Sequence, residues 1–214
     1  MLNYQLQDDV AVAQLDDGKA NAVGFAFIEA VNTALDNAEK EAKAIAFFGR
    51  PGRFCAGFDL SVVRQPGPEA ARLSQLGGAM MKRIYTHPQP VVVGCTGHAL
   101  AAGALFLLAG DTRVGATGNF KIGLNETAIG MGLPGWALAL VDDRISKRHH
   151  TAAVIQSEIY DPMGAVDAGY LDTVVEPEDI MDETIRYAQH LTELPTEQYG
   201  RTKNDLRISF AKRM

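Results

Sequence analysis

Two stretches of small residues hold the groups best suited to chemistry in this chain. Ala44-Ile45-Ala46-Phe47-Phe48-Gly49 runs on to Phe54-Cys55-Ala56-Gly57-Phe58-Asp59-Leu60. Val91-Val92-Val93-Gly94-Cys95 runs on to Thr96-Gly97-His98-Ala99-Leu100-Ala101-Ala102-Gly103. Small side chains let a ligand reach the backbone, and the first amides of a helix have no partner inside it. Two such loops aimed at one point would hold a developing oxyanion. Taken singly, each is also what a helix packed closely on a sheet requires.

Glu126 is the carboxylate with the most suggestive neighbours. Ile122, Leu124, Ile129 and Met131 surround it in sequence, and desolvation by them would raise its pKa toward neutrality, where a general base works best. A helix-capping or surface glutamate is the alternative. Cys55 has only Arg53 as a basic neighbour and reads as a buried small residue rather than a nucleophile. His98 could be a base or could orient backbone. Asp59 suits a helix cap, and Asp111 and Arg113 suit a structural pair. His149-His150 lacks acidic or thiol partners at ligand spacing, so no metal site is expected. Trp136 could wall a pocket or pack in the core. Asp142 and Asp143 read as a solvated face.

The elements that position these groups follow from periodicity. Val10–Leu15, Ala44–Gly49, Val91–Cys95, Thr112–Ala116 and Asn119–Gly123 read as strands. Helical spacing of apolar residues covers Phe25–Lys43 and Glu69–Tyr85. Further helices are predicted over Gly103–Ala109, Gly135–Ile145, Lys147–Glu158 and Asp179–Thr192. The alternation argues an α/β class with mostly parallel pairing. With 214 residues and 47% hydrophobic composition, the chain can bury a full core. A net charge of -6 opposes a broad nucleic-acid surface. The basic tail (Arg201, Lys203, Arg207, Lys212, Arg213) reads as a charged amphipathic helix. Two cysteines make no disulfide framework. No secretory signal or membrane span is legible, and a reducing, cytoplasmic location is expected.

Asn21-Ala22-Val23, Phe54 to Leu60, Gly97 to Gly103, Asp111-Thr112-Arg113, and Ile122-Gly123-Leu124-Asn125-Glu126-Thr127 followed by Leu133-Pro134 occur in this order. Together they resemble the crotonase family, also called the enoyl-CoA hydratase/isomerase superfamily, over nearly the whole chain. The resemblance implies a spiral of β-β-α units with a helical C-terminal region, divided here as a core over 1–190 and a shortened helical segment over 191–214. It implies an acyl-CoA thioester substrate, a role in fatty acid metabolism, and a homotrimer or dimer of trimers. Coenzyme A enters as part of the substrate, so no separate cofactor is expected.

In the family pattern the residue after Ala-Gly in the first loop donates one oxyanion N–H, here Phe58. The middle small residue of the second loop donates the other, here Ala102, where many relatives have Gly. Lys19, Ala20 and Ala22 match the segment lining the path of coenzyme A. Ala56, Gly57, Asp59, Leu60 and Gly103 complete the expected substrate-binding set. Hydratase relatives, which act as lyases, carry a second catalytic glutamate where this chain has Leu105. A single Glu126 is instead similar to the Δ3,Δ2-enoyl-CoA isomerases. The rival readings are a hydratase or another acyl-CoA reaction of the family, and a non-catalytic acyl-CoA- or RNA-binding homologue. Relatives typically continue beyond the Thr202-Lys203 segment by more than this sequence does, so either a more open acyl pocket or an impaired activity is expected.

Overall fold

The computed structural model describes residues 2–65 and 67–214. In chain order the strands are β1 (Leu2–Gln7), β2 (Val10–Leu15), β3 (Ala44–Phe48), β4 (Gly52–Cys55), β5 (Val91–Cys95), β6 (Gly97–Leu100), β7 (Thr112–Ala116), β8 (Ile122–Gly123) and β9 (Thr173–Val175). The helices are α1 (Phe25–Glu41), α2 (Leu60–Val63), α3 (Pro68–Tyr85), α4 (Ala102–Ala109), α5 (Gly135–Arg144), α6 (Pro162–Ala168), α7 (Ile180–Thr192) and α8 (Thr196–Ala211).

A six-stranded sheet in the order β1-β2-β3-β5-β7-β9 forms the frame, parallel throughout except for the antiparallel β1–β2 hairpin. Its inner strands β2, β3 and β5 are apolar on both faces because both faces are covered. Ala11, Ala13, Ile45, Phe47, Val91 and Val93 face the main core with α1, α3 and α4. The alternate residues Val10, Val12, Ala44, Ala46, Phe48 and Val92 pack on Ile185 and Ala188 of α7. The alternation is the two-residue period of a strand.

A second sheet, β4-β6-β8, stands apart from the first and is parallel. Each of its short strands leads directly into one of the segments singled out by sequence. The first loop follows β4, the second follows β6 and Glu126 follows β8. Ligands of parallel sheets bind beyond the carboxyl ends of the strands, and here three such ends lie side by side.

Several expectations are corrected. Gly97–Leu100 is not loop but strand β6, and the expected strand over Asn119–Gly123 contracts to Ile122–Gly123. The helix expected over Lys147–Glu158 is a 3-10 turn at Lys147–His149 and a wide π turn at Thr151–Ile155, closed by Ser157 at φ 55°. Asp111 and Arg113 do not pair with each other. Arg113 binds Asp172, while Asp111 binds Lys203 and Arg207. Asp143 is not merely solvated, since it accepts a 2.7 Å hydrogen bond from Tyr85. No helix among the described residues is long and apolar enough to cross a membrane.

Candidate active site

The two loops are locked together by glycines. Gly57, at φ +100°, lies so close to the second loop that a methyl there would sit 2.8 Å from Ala101 Cβ and 3.5 Å from Ala102 N. A side chain on Gly103 would collide with the carbonyl of Cys55. At Gly103 the approach is backbone on backbone, at Gly57 it is backbone on the Ala101 methyl, and both positions call for glycine. The first loop is also stitched to the segment before α1. Ala56 N–H donates to Ala20 O at 3.0 Å, Val23 N–H to Gly57 O at 2.8 Å, and Asp59 N–H to Val23 O at 3.1 Å. Asn21 caps the junction, its Nδ2 donating to Leu15 O and Phe54 O.

Within this stitching several amides are left over, those of Gly103 and Ala104 in the first turn of α4 among them. Among the described residues, neither the N–H of Phe58 nor that of Ala102 has an acceptor. Ala102 is the first residue of α4, a helix buried at every position. Phe106 anchors that helix edge-on against Phe27, Phe47 and Phe54, at ring-centroid distances of 6.3, 5.3 and 5.5 Å. Just before it, Ala101 sits at φ 51°, ψ −123°, a conformation costly for any residue with a Cβ.

Glu126 completes the site. It follows β8, heads a 3-10 turn over Thr127–Ile129 and is 8% exposed. Its Oε2 has no partner among the described residues. Burial pushes its carboxyl up to about 7, only partly offset by a backbone hydrogen bond. A cavity of about 100 Å³ brings it together with Ala56, Phe58, Leu60 and Ala101. Val63, Arg64, Asn125, Ile129 and Met131 finish the lining. Leu105, one turn into α4, is 1% exposed.

Of the expected site residues, Ala56, Phe58, Leu60 and Glu126 line the cavity, and Gly57, Ala102 and Gly103 form the buried wall where the loops meet. Asp59 caps α2, its Oδ1 accepting from Ser61 N–H at 2.9 Å. Lys19, Ala20 and Ala22 lie beside the first loop rather than in the cavity, with Lys19 exposed. Arg64 and Asn125 were missed. Asn125 stands beside Glu126 in the quoted motif, a signal that was available; Arg64 reaches the cavity only because α2 is a single turn. Cys55 is buried, its thiol pushed up to about 12, which leaves it protonated and unreactive. His98 Nδ1 accepts from Lys121 N–H at 3.0 Å and so orients backbone. Trp136 packs edge-on against Phe58 at 6.4 Å and lies outside the cavity lining. No cluster of three metal-ligating side chains occurs among the described residues.

Three parallel strand ends that bring the two loops beside one desolvated carboxylate define a crotonase-like fold, and comparison with known proteins agrees on that fold. A family model described as enoyl-CoA hydratase/isomerase matches residues 5–213, and the chain belongs to that family. An enoyl-CoA hydratase/isomerase family protein from Pseudomonas syringae is 37% identical, with a TM-score of 0.96 over 99% of this chain and 92% of its own. Human enoyl-CoA delta isomerase 1, mitochondrial, is 26% identical over 96% of this chain and 70% of its own length. A probable enoyl-CoA hydratase, echA17, of Mycobacterium avium (strain 104) is 29% identical over 71% of this chain. That match spans 59% of the relative's length.

Proposed function

We propose that the protein is a Δ3,Δ2-enoyl-CoA isomerase that works with one carboxylate. The observation that carries this reading is the pairing of a buried, proton-holding Glu126 with an apolar Leu105, 1% exposed in a helix without a polar side chain. Hydration of a double bond calls for groups that orient water and deliver a proton, whereas moving a double bond needs only one base that gives back what it takes.

In this mechanism the Glu126 carboxylate removes a proton from C2 of a 3-enoyl thioester. The C–H electron pair delocalises through the thioester, and the negative charge gathers on its oxygen. The N–H groups of Phe58 and Ala102 receive that charge; one such donor is typically worth ~2.7–4 kcal/mol of barrier. The protonated Glu126 then donates to C4, the double bond settles between C2 and C3, and the carboxylate is restored. Positioned general acid–base help of this kind contributes roughly a hundred- to ten-thousand-fold. Lys19, Ala20 and Ala22, beside the first loop, would lie along the path of coenzyme A, with Lys19 supplying positive charge for its phosphates. A trimer or a dimer of trimers is the assembly proposed.

The family also includes relatives named hydratase, and absorbance of the conjugated 2-enoyl thioester separates the two reactions. An isomerase generates that absorbance from 3-enoyl-CoA and leaves added 2-enoyl-CoA intact in water. Steady loss of the 2-enoyl signal, with formation of the 3-hydroxy thioester, would establish a hydratase instead.

A further inference from the structure

Helix α3 carries adjacent glycines, Gly77 and Gly78, both buried in its interior. Glycine inside a helix weakens it, so two in succession ask for a reason. Each faces one aromatic ring. A methyl on Gly77 would lie 2.6 Å from the Cε1 and Cζ atoms of Phe58, and one on Gly78 would lie 2.9 Å from Cδ1 of Trp136. The two rings meet edge-on at 82°. Phe58, which lines the cavity beside Glu126, is therefore boxed in from behind by α3 and from the side by Trp136, and it has no room to swing away from an incoming chain.

The cavity that it bounds holds about 100 Å³. A dry cavity of about 150 Å³ accommodates benzene, or about 25 Å³ per carbon, so this one has space for about four carbons beyond the thioester carbonyl. Resting on the isomerase reading above, we propose that the site is specific for short, unbranched 3-enoyl thioesters of about four to six carbons, with the Phe58 ring, seated on Gly77, as the stop. The backbone of residue 58 would then stabilise the oxyanion while its side chain measures the acyl group.

The test is the kcat/KM profile over 3-butenoyl-, 3-hexenoyl- and 3-decenoyl-CoA for the wild type, Phe58→Leu and Gly77→Ala. The wild type should lose roughly 10-fold or more between 3-hexenoyl- and 3-decenoyl-CoA, the discrimination that a full apolar pocket supplies. Phe58→Leu keeps the backbone N–H and shortens the ring, so it should flatten that decline. Gly77→Ala should press the ring into the cavity and steepen the decline, beginning at 3-hexenoyl-CoA. If Gly77→Ala does not fold, the wild type and Phe58→Leu still decide the matter. A wild-type profile that is flat or rises with length, or a Phe58→Leu profile identical to wild type, overturns the proposal. Calorimetric titration with butanoyl-, hexanoyl- and decanoyl-CoA reads the same limit without turnover. Length-limited binding with no isomerisation would support the pocket and remove the isomerase reading; rapid isomerisation of every length would do the reverse.

Discussion

Glu126 is divided between acid and carboxylate near pH 7 because burial disfavours its charge. Unfolded, the group titrates near its ordinary 4.5; folded, burial pushes it up to about 7. As the base, it must be ionised in the free enzyme, so kcat/KM should rise with pH through a midpoint near 7 and level off above it. The same shift is linked to stability. Between these two values the folded state holds the extra proton, so stability is greatest below the unfolded value and is lost as pH rises through the folded one. Glu126→Gln should therefore be more stable than wild type above neutrality by about 3 kcal/mol, with the gain vanishing near pH ~4. Denaturant midpoints at the two pH values check this. Glu126 and Phe58 were legible in sequence because flanking residues of fixed type mark them. Ala101 and Arg64 were not singled out, because nothing in their own identity says that they converge on one cavity; Asn125 had only its place in the motif as a signal.

At the scale of elements, the site depends on short strands that sequence periodicity does not register. β4 and β6 have four residues each, include glycine, and pair only with each other and with β8. A four-residue strand has no room for a diagnostic alternation, which is why their segments read as loops. α1, α3, β2, β3 and β5 are long or uniformly apolar and were placed within a few residues. The turn between β6 and α4 holds a left-handed, non-glycine residue. Ala101, at φ 51°, holds a backbone conformation that is costly for a residue with a Cβ and open to glycine. Ala101→Gly should raise the unfolding free energy by about 1 kcal/mol, the relief of strain less the entropy of a freer unfolded chain. Thermal unfolding would show it. A fall in stability would mean that the Ala101 methyl makes packing contacts worth more than the strain.

Across the whole molecule, one buried ionic knot ties the C-terminal helix to the frame. Asp111, just before β7, accepts from Lys203 Nζ at 2.6 Å and Arg207 Nη1 at 2.7 Å on α8. It also accepts from Tyr199 OH at 3.0 Å and Val91 N–H at 2.8 Å. The basic tail read as a charged amphipathic helix buries two of its cations, with Lys203 and Arg207 only 7% and 6% exposed. Sequence could not show this, since the partner carboxylate lies 92 and 96 residues away. Burial alone would raise the Asp111 carboxyl, but the charges of Lys203 and Arg207 and the bonds from Lys203 and Val91 outweigh it and hold it below its usual value. This contribution is present above the unfolded value of 3.8 and is lost as pH falls through the folded one. Asp111→Ala leaves two cations buried without a counter-charge and should cost about 3–5 kcal/mol at neutral pH. That difference should shrink in acid, as read from urea midpoints across the pH range.

The central claim is that one carboxylate performs both proton transfers, and the most direct measurement is turnover of a 3-enoyl-CoA by wild type and Glu126→Gln, with thioester binding measured alongside. Glutamine keeps the shape and removes the base. The expected result is a loss of kcat of roughly a hundred-fold or more with binding little changed. Turnover within a few-fold of wild type would contradict the account and require a different base.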